Sequence, residues 1–194
     1  MKRIMIATLV GAVLLFVYQF ISWEISPIHE NSYKYVADQD TITSYLSKHL
    51  KEDGVYALPM MLPGAPKSDR EAFMKKYVGQ PEAMITWHNK MGGEMGMQMV
   101  MGFVIDLIAV LIVASLLLRT LTIFSTFFAK LRVVMSFSFF VIFQTTLMNY
   151  NWFNAPWHNL KGDIIDSILA WLIVGCWLAW YTGRGKQENI PAIE

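Results

Sequence analysis

Charge and cysteine are what this chain has least of. Only 16% of its 194 residues are charged, against 55% hydrophobic, whereas soluble domains average about 25% charged. A net charge of +1 leaves no basic face, so a nucleic-acid partner is not expected. The single cysteine, Cys176, cannot close an intrachain disulfide, so any water-facing part must be held by packing alone. There is no internal repeat and no low-complexity tract. No phosphate-binding glycine loop, no intramembrane zinc-protease signature and no Ser or Cys nucleophile with a base at useful spacing can be found. The expected role is therefore non-enzymatic.

What the chain has instead is four long apolar runs, each near the length that crosses a bilayer as a helix. The sequence predicts an all-α integral membrane protein of four transmembrane helices, with a small, mostly helical extracytoplasmic domain between the first and second. The predicted order is a first span over 1–23, the domain over 24–96 and a second span over 97–118. An inner interfacial loop over 119–132 follows, then a third span over 133–149, an outer loop over 150–162, a fourth span over 163–182 and a tail over 183–194. The first run opens on Lys2 and Arg3 but continues through Tyr18, Phe20, Ile21 and Trp23 with no small-x-small cleavage pattern. That combination reads as a retained signal anchor.

Basic residues set the orientation. Lys2, Arg3, Arg119, Lys130, Arg132, Arg184 and Lys186 all fall on one side of the spans, and acids slightly outnumber bases over 24–98. By the positive-inside rule both termini are cytoplasmic and residues 24–96 extracytoplasmic. Compactness and charge bias suggest a bacterial inner (cytoplasmic) membrane. Trp23, Trp87, Tyr150, Trp152 and Trp157 fall where an outer aromatic belt belongs.

In the 24–96 segment, a helix is predicted from Asp38 or Asp40 to about Lys51, an extended piece at Val55–Leu58, and a short helix from Ser68 to about Tyr77. Pro81 suggests the start of another helix that continues unbroken into the second span. On that helix Met84, His88, Met91, Met95, Met99, Gly102 and Asp106 would form one stripe. Thioether and imidazole are ligands for copper or haem iron, so His88, Met91 and Met95 are the candidate metal ligands, joined by another histidine such as His29 or His158. Methionine also packs well as a plain buried face, and no resident cofactor is expected. Gly92 and Gly96, four apart, match a small-xxx-small helix-packing pattern.

Asp106 is the sharpest single residue, because an ionisable group inside a span is costly unless paired, protonated or hydrated. At 1.5 Å per residue it lies about 10 Å below the outer interface. Gln19 on the first span, Gln144 on the third and Asp166 on the fourth fall at related depth, which predicts an intramembrane polar cluster. Such a cluster clamps helices together or binds something. The reading that follows is an accessory, assembly or interaction subunit of a larger membrane complex, with the lipid bilayer and another membrane protein, or itself, as partners. The alternatives are an outward-facing copper or haem site on the Met/His stripe and a small transporter using Asp106.

Overall fold

The computed structural model describes residues 1–93, 95–120, 123 and 126–184. Its elements are α1 (Lys2–Glu24), a 3-10 turn (Pro27–His29), α2 (Gln39–His49), β1 (Gly54–Leu58), α3 (Asp69–Tyr77), β2 (Ala83–Trp87), α4 (Met95–Arg119), α5 (Phe127–Val141), a π-helical turn (Ile142–Thr146), α6 (Leu147–Phe153) and α7 (Trp157–Gly183). The chain divides into two compact units, one built from Met1–Lys34 and the helices from Met95 onward, the other from Tyr35–Gly93.

Four helical stretches are long and apolar enough to cross a membrane: Lys2–Glu24, Met95–Arg119, Phe127–Phe153 and Trp157–Gly183. The third is longer than the sequence suggested. Thr126 opens it by accepting a hydrogen bond at Oγ1 from the Ala129 N–H (3.2 Å), and α5, the π-turn and α6 follow without a gap. Asn154 ends it at φ 48°, a left-handed conformation that asparagine tolerates better than most residues. The 183–194 tail beyond Arg184, and four positions of the 119–132 loop, lie outside the described residues.

The spans run alternately up and down. Arg3 meets Thr182, Ala7 meets Trp177 and Tyr18 meets Asp166, so numbers rise on α1 as they fall on α7. Helix α1 packs on both α4 and α7, and α7 packs on α5; α4 and α5, which would close the ring, scarcely touch. The shared core is small and apolar: Ala7, Ala12, Val110, Ala114, Leu117, Val134, Val174 and Leu178. Glycine sets two of the close approaches. A Cβ on Gly11 would sit 2.7 Å from Val110 Cγ1, and one on Gly175 would sit 2.8 Å from Leu131 Cδ1. Small residues let helix backbones come close where lipid supplies no hydrophobic drive. The faces turned away from the core carry Leu9, Val13, Phe20, Ile105, Ile108, Ile112, Phe139, Phe140 and Phe143 in exposed positions. A belt of that kind suits lipid, not water.

At the end where the chain starts, Arg3 Nη2 donates to the carbonyl of Thr182 (2.6 Å). This places a cation at the C-terminus of α7, where the helix dipole favours it. Lys130 is almost wholly buried in the first turn of α5, 3.3 Å from where a Cβ on Gly183 would stand.

The Tyr35–Gly93 unit departs from the expected helix. Residues 83–87 form β2, paired antiparallel with β1 in the register Gly54↔Trp87 to Leu58↔Ala83. Ile85, Thr86 and Trp87 are strand formers, and the Val55–Tyr56 segment offers them a ladder that a lone helix would lack. Gly92 and Gly93 then separate the strand from α4, which begins only at Met95. No helix therefore runs unbroken from residue 81 into the second span.

Candidate functional site

The π-turn and the strand together dissolve two of the expected constellations. Met84 lies in β2, His88 and Met91 lie in non-helical chain, and Met95 begins α4, so no continuous stripe joins them. Met91 and Met95 are exposed. His88 Nδ1 instead faces Asp53 Oδ2 at 3.4 Å, while Asn89 donates its backbone N–H to Asp53 Oδ1 (2.9 Å). These contacts hold the Asp53 carboxyl below its ordinary range, chiefly through the Asn89 N–H and then through His88. Among the described residues no three His, Cys, Asp or Glu side chains converge as a metal site. Gly92 and Gly96 face open space within the chain. The close approaches occur at Gly11, Gly162 and Gly175 instead.

The polar cluster is assembled on α1, α4 and α7. Tyr18 and Ser22, one turn apart on α1, both donate to Asp166 Oδ1, at 3.0 and 2.6 Å. Asp166 Oδ2 lies 2.8 Å from His29 Nε2. Gln19, the next position round α1 from Tyr18, points to the other neighbour and donates from Nε2 to Asp106 Oδ1 on α4 (3.1 Å). Because α1 lies between α4 and α7, successive residues 100° apart can serve two different carboxylates. Gln144 does not join them. It lies in the π-turn with an exposed side chain, since the extra residue per turn there rotates it off the face that α5 presents to α7.

His29 reaches the site through a local sequence device. Ser26 accepts at Oγ from the Ile28 N–H (3.2 Å), and Pro27 occupies the first position of the 3-10 turn. The chain is thereby folded back on itself directly after α1. The imidazole stacks on Trp23, with ring centroids 3.9 Å apart and planes 5° from parallel. Its other side is admitted by Gly162, where a Cβ would stand 2.8 Å from His29 Cε1. Gly162 and Asp166 are one turn apart on α7, so the glycine makes the space and the aspartate accepts the hydrogen bond.

The two carboxylates face one cavity of about 360 Å³. Leu15, Tyr18, Gln19, Trp23, Asp106, Ala109, Asp166, Ser167, Ala170 and Trp171 line it. Their environments differ sharply. Both oxygens of Asp166 are engaged. Asp106 is only 4% exposed, and its Oδ2 has no hydrogen-bond partner among the described residues. A buried carboxylate with an unpartnered oxygen is costly unless a proton or a ligand's charge offsets it.

Toward the chain termini the core continues with Ala12, Val110, Val113, Ala114 and Val174, all buried and apolar. The arrangement can therefore bind a small group or hold a proton. Asp106, Asp166 and Gln19 were legible as polar residues in apolar runs. Tyr18, Ser22 and Gly162 were not, although the Gly-Asp spacing of four was a signal for Gly162, as the Ser-Pro step after the first run was for His29. Matched against protein-family models, curated proteins and solved structures, the chain resembles none of them, so its function is read from this geometry.

Proposed function

We propose that the protein is a non-enzymatic polytopic membrane protein whose α1–α4–α7 cavity is an outward-facing binding site for a small ligand. In this reading both termini are cytoplasmic, residues 24–96 are extracytoplasmic and the host is a bacterial inner membrane. The observation that carries it is Asp106, nearly buried, bonded at one oxygen by Gln19, buried and unpartnered at the other, and lining a cavity shared with a second carboxylate. A helix clamp alone would use both oxygens, as Asp166 does. The buried apolar residues on the side of the chain termini favour binding over conduction.

The test is side-specific labelling. In a Cys176→Ser background, Ser167→Cys should react with a membrane-impermeant methanethiosulfonate added to intact cells. Reaction only after lysis, or none in a folded protein, contradicts the reading.

A second reading, an accessory subunit of a larger membrane complex, draws on the open seam between α4 and α5. A partner's helix seated there would complete the ring. Purification in mild detergent should then retain one stoichiometric membrane partner, lost when a bulky residue such as tryptophan replaces an exposed apolar residue beside the seam.

A further inference from the structure

We infer that the ligand of this cavity is a small organic ammonium ion, held by Asp106 and enclosed by the aromatic side chains of Tyr18, Trp23 and Trp171. The inference rests on the outward-facing binding site proposed above and names its chemistry. Three features of the lining lead to it.

The first is charge. Asp106 and Asp166 contribute two carboxylates, and no lining residue is basic. His29, behind Asp166, is committed to that carboxylate at 2.8 Å. Asp106 has only the neutral amide of Gln19 at Oδ1, its buried Oδ2 has no hydrogen-bond partner among the described residues, and no lining residue supplies a counter-charge. An ammonium ion in the cavity supplies the counter-charge that the lining lacks.

The second is the wall. Tyr18, Trp23 and Trp171 are three of the ten lining residues, and aromatic rings with a nearby carboxylate are the recurring surroundings of alkylammonium groups. Leu15, Ala109 and Ala170 supply apolar surface for the alkyl part.

The third is size. About 360 Å³ is at the lower end of small-molecule sites and far larger than a bare metal ion needs. Magnesium and calcium take six or more close oxygens. Here Asp166 is saturated by Tyr18, Ser22 and His29, and too few free oxygens remain for such a cage.

The experiment titrates the full-length protein in maltoside micelles, which carry no ammonium headgroup. Methylammonium chloride and tetramethylammonium chloride are the probes, and sodium and potassium chloride are the ionic-strength controls. Tryptophan emission, to which Trp23 and Trp171 contribute among seven tryptophans, follows the titration, and calorimetry confirms stoichiometry. At least one probe should bind saturably at one site per chain. Asp106→Asn keeps the shape and the Gln19 contact, and should weaken binding by roughly tenfold or more. Trp171→Leu should weaken it by roughly threefold. Ala109→Trp fills the cavity while leaving Asp106 in place, and should abolish binding even if Asp106→Asn misfolds. Absence of saturable binding by either probe overturns the inference. So does equal affinity in folded Asp106→Asn, or undiminished binding in Ala109→Trp. Full competition by sodium or potassium also overturns it, in favour of an alkali-metal site. Labelling of Ser167→Cys from outside without amine binding sinks only this inference. Failure of that labelling sinks the underlying site reading as well.

Discussion

Two histidine–aspartate pairs occupy two regions of this molecule and behave as physical opposites. In the helical bundle His29 and Asp166 meet at 2.8 Å, with side chains 5% and 17% exposed. In the Tyr35–Gly93 unit His88 and Asp53 stand 3.4 Å apart, at 66% and 60%. The buried pair sits inside a net of further bonds from Tyr18 and Ser22, a stacked tryptophan and a glycine-made seat. The exposed pair is one edge of a clasp in which the Asn89 backbone N–H is the stronger contact. The same two residue types are thus an anchor where they are mostly buried and a marginal contact where they are exposed. Desolvation makes the difference: a mostly buried group that loses its partner is poorly compensated by water, whereas an exposed one is well compensated.

Substitutions can break this contrast at graded cost. Asp166→Ala should have the largest effect, because it strips three donors of their acceptor at once. A loss of about 2–4 kcal/mol is expected, read as a lowered midpoint in detergent unfolding, with Asp166→Asn retaining part of it. Gly162→Ala comes next. The new methyl group would overlap His29 Cε1, pushing the ring from its seat at about 1–2 kcal/mol and shifting Trp23 emission as the stack opens. Tyr18→Phe removes one of the two donors to Asp166 Oδ1 and leaves Ser22 in place, so only about 0.6 kcal/mol is expected. Asp53→Ala should leave the unfolding midpoint of the bundle unmoved.

The exposed pair has a pH signature of its own. The folded-state pKa of Asp53 is depressed below its ordinary 3.8, so the contribution of the clasp is complete above the usual carboxylate range. It is lost as pH falls through the folded value. Amide exchange at Asn89 should therefore be protected at neutral pH and lose that protection on acidification. Unchanged protection at pH 2 would show that the clasp does not depend on the carboxylate.

The sequence displayed the bundle well and the second unit poorly, for reasons that differ by region. In the spans, length and hydropathy decide the structure, and polar residues such as Asp106 and Asp166 stand out because lipid makes them expensive. Between 83 and 87, a four-residue methionine spacing suggested helix, while Ile85, Thr86 and Trp87 favoured strand. The ladder with Gly54–Leu58 is non-local and decided the outcome. Gln144 failed for a third reason. Depth along a helix places a residue at the right level, but the π-turn at Ile142–Thr146 changes the face it occupies, and nothing in the local sequence announces that turn. His29 lies outside the apolar run altogether, and its return to the bundle depends on the Ser26–Pro27 turn and on the space at Gly162.

The measurement closest to the core of this account is a cross-link across the cavity. Cysteines introduced at Ala109 on α4 and Ser167 on α7, in a Cys176→Ser background, should be joined within one chain by a short bifunctional methanethiosulfonate, while Ile108→Cys, on the exposed side of α4, should not pair with Ser167→Cys. Labelling of both cysteines without a link, or a link formed equally from position 108, would contradict a cavity shared by the two helices.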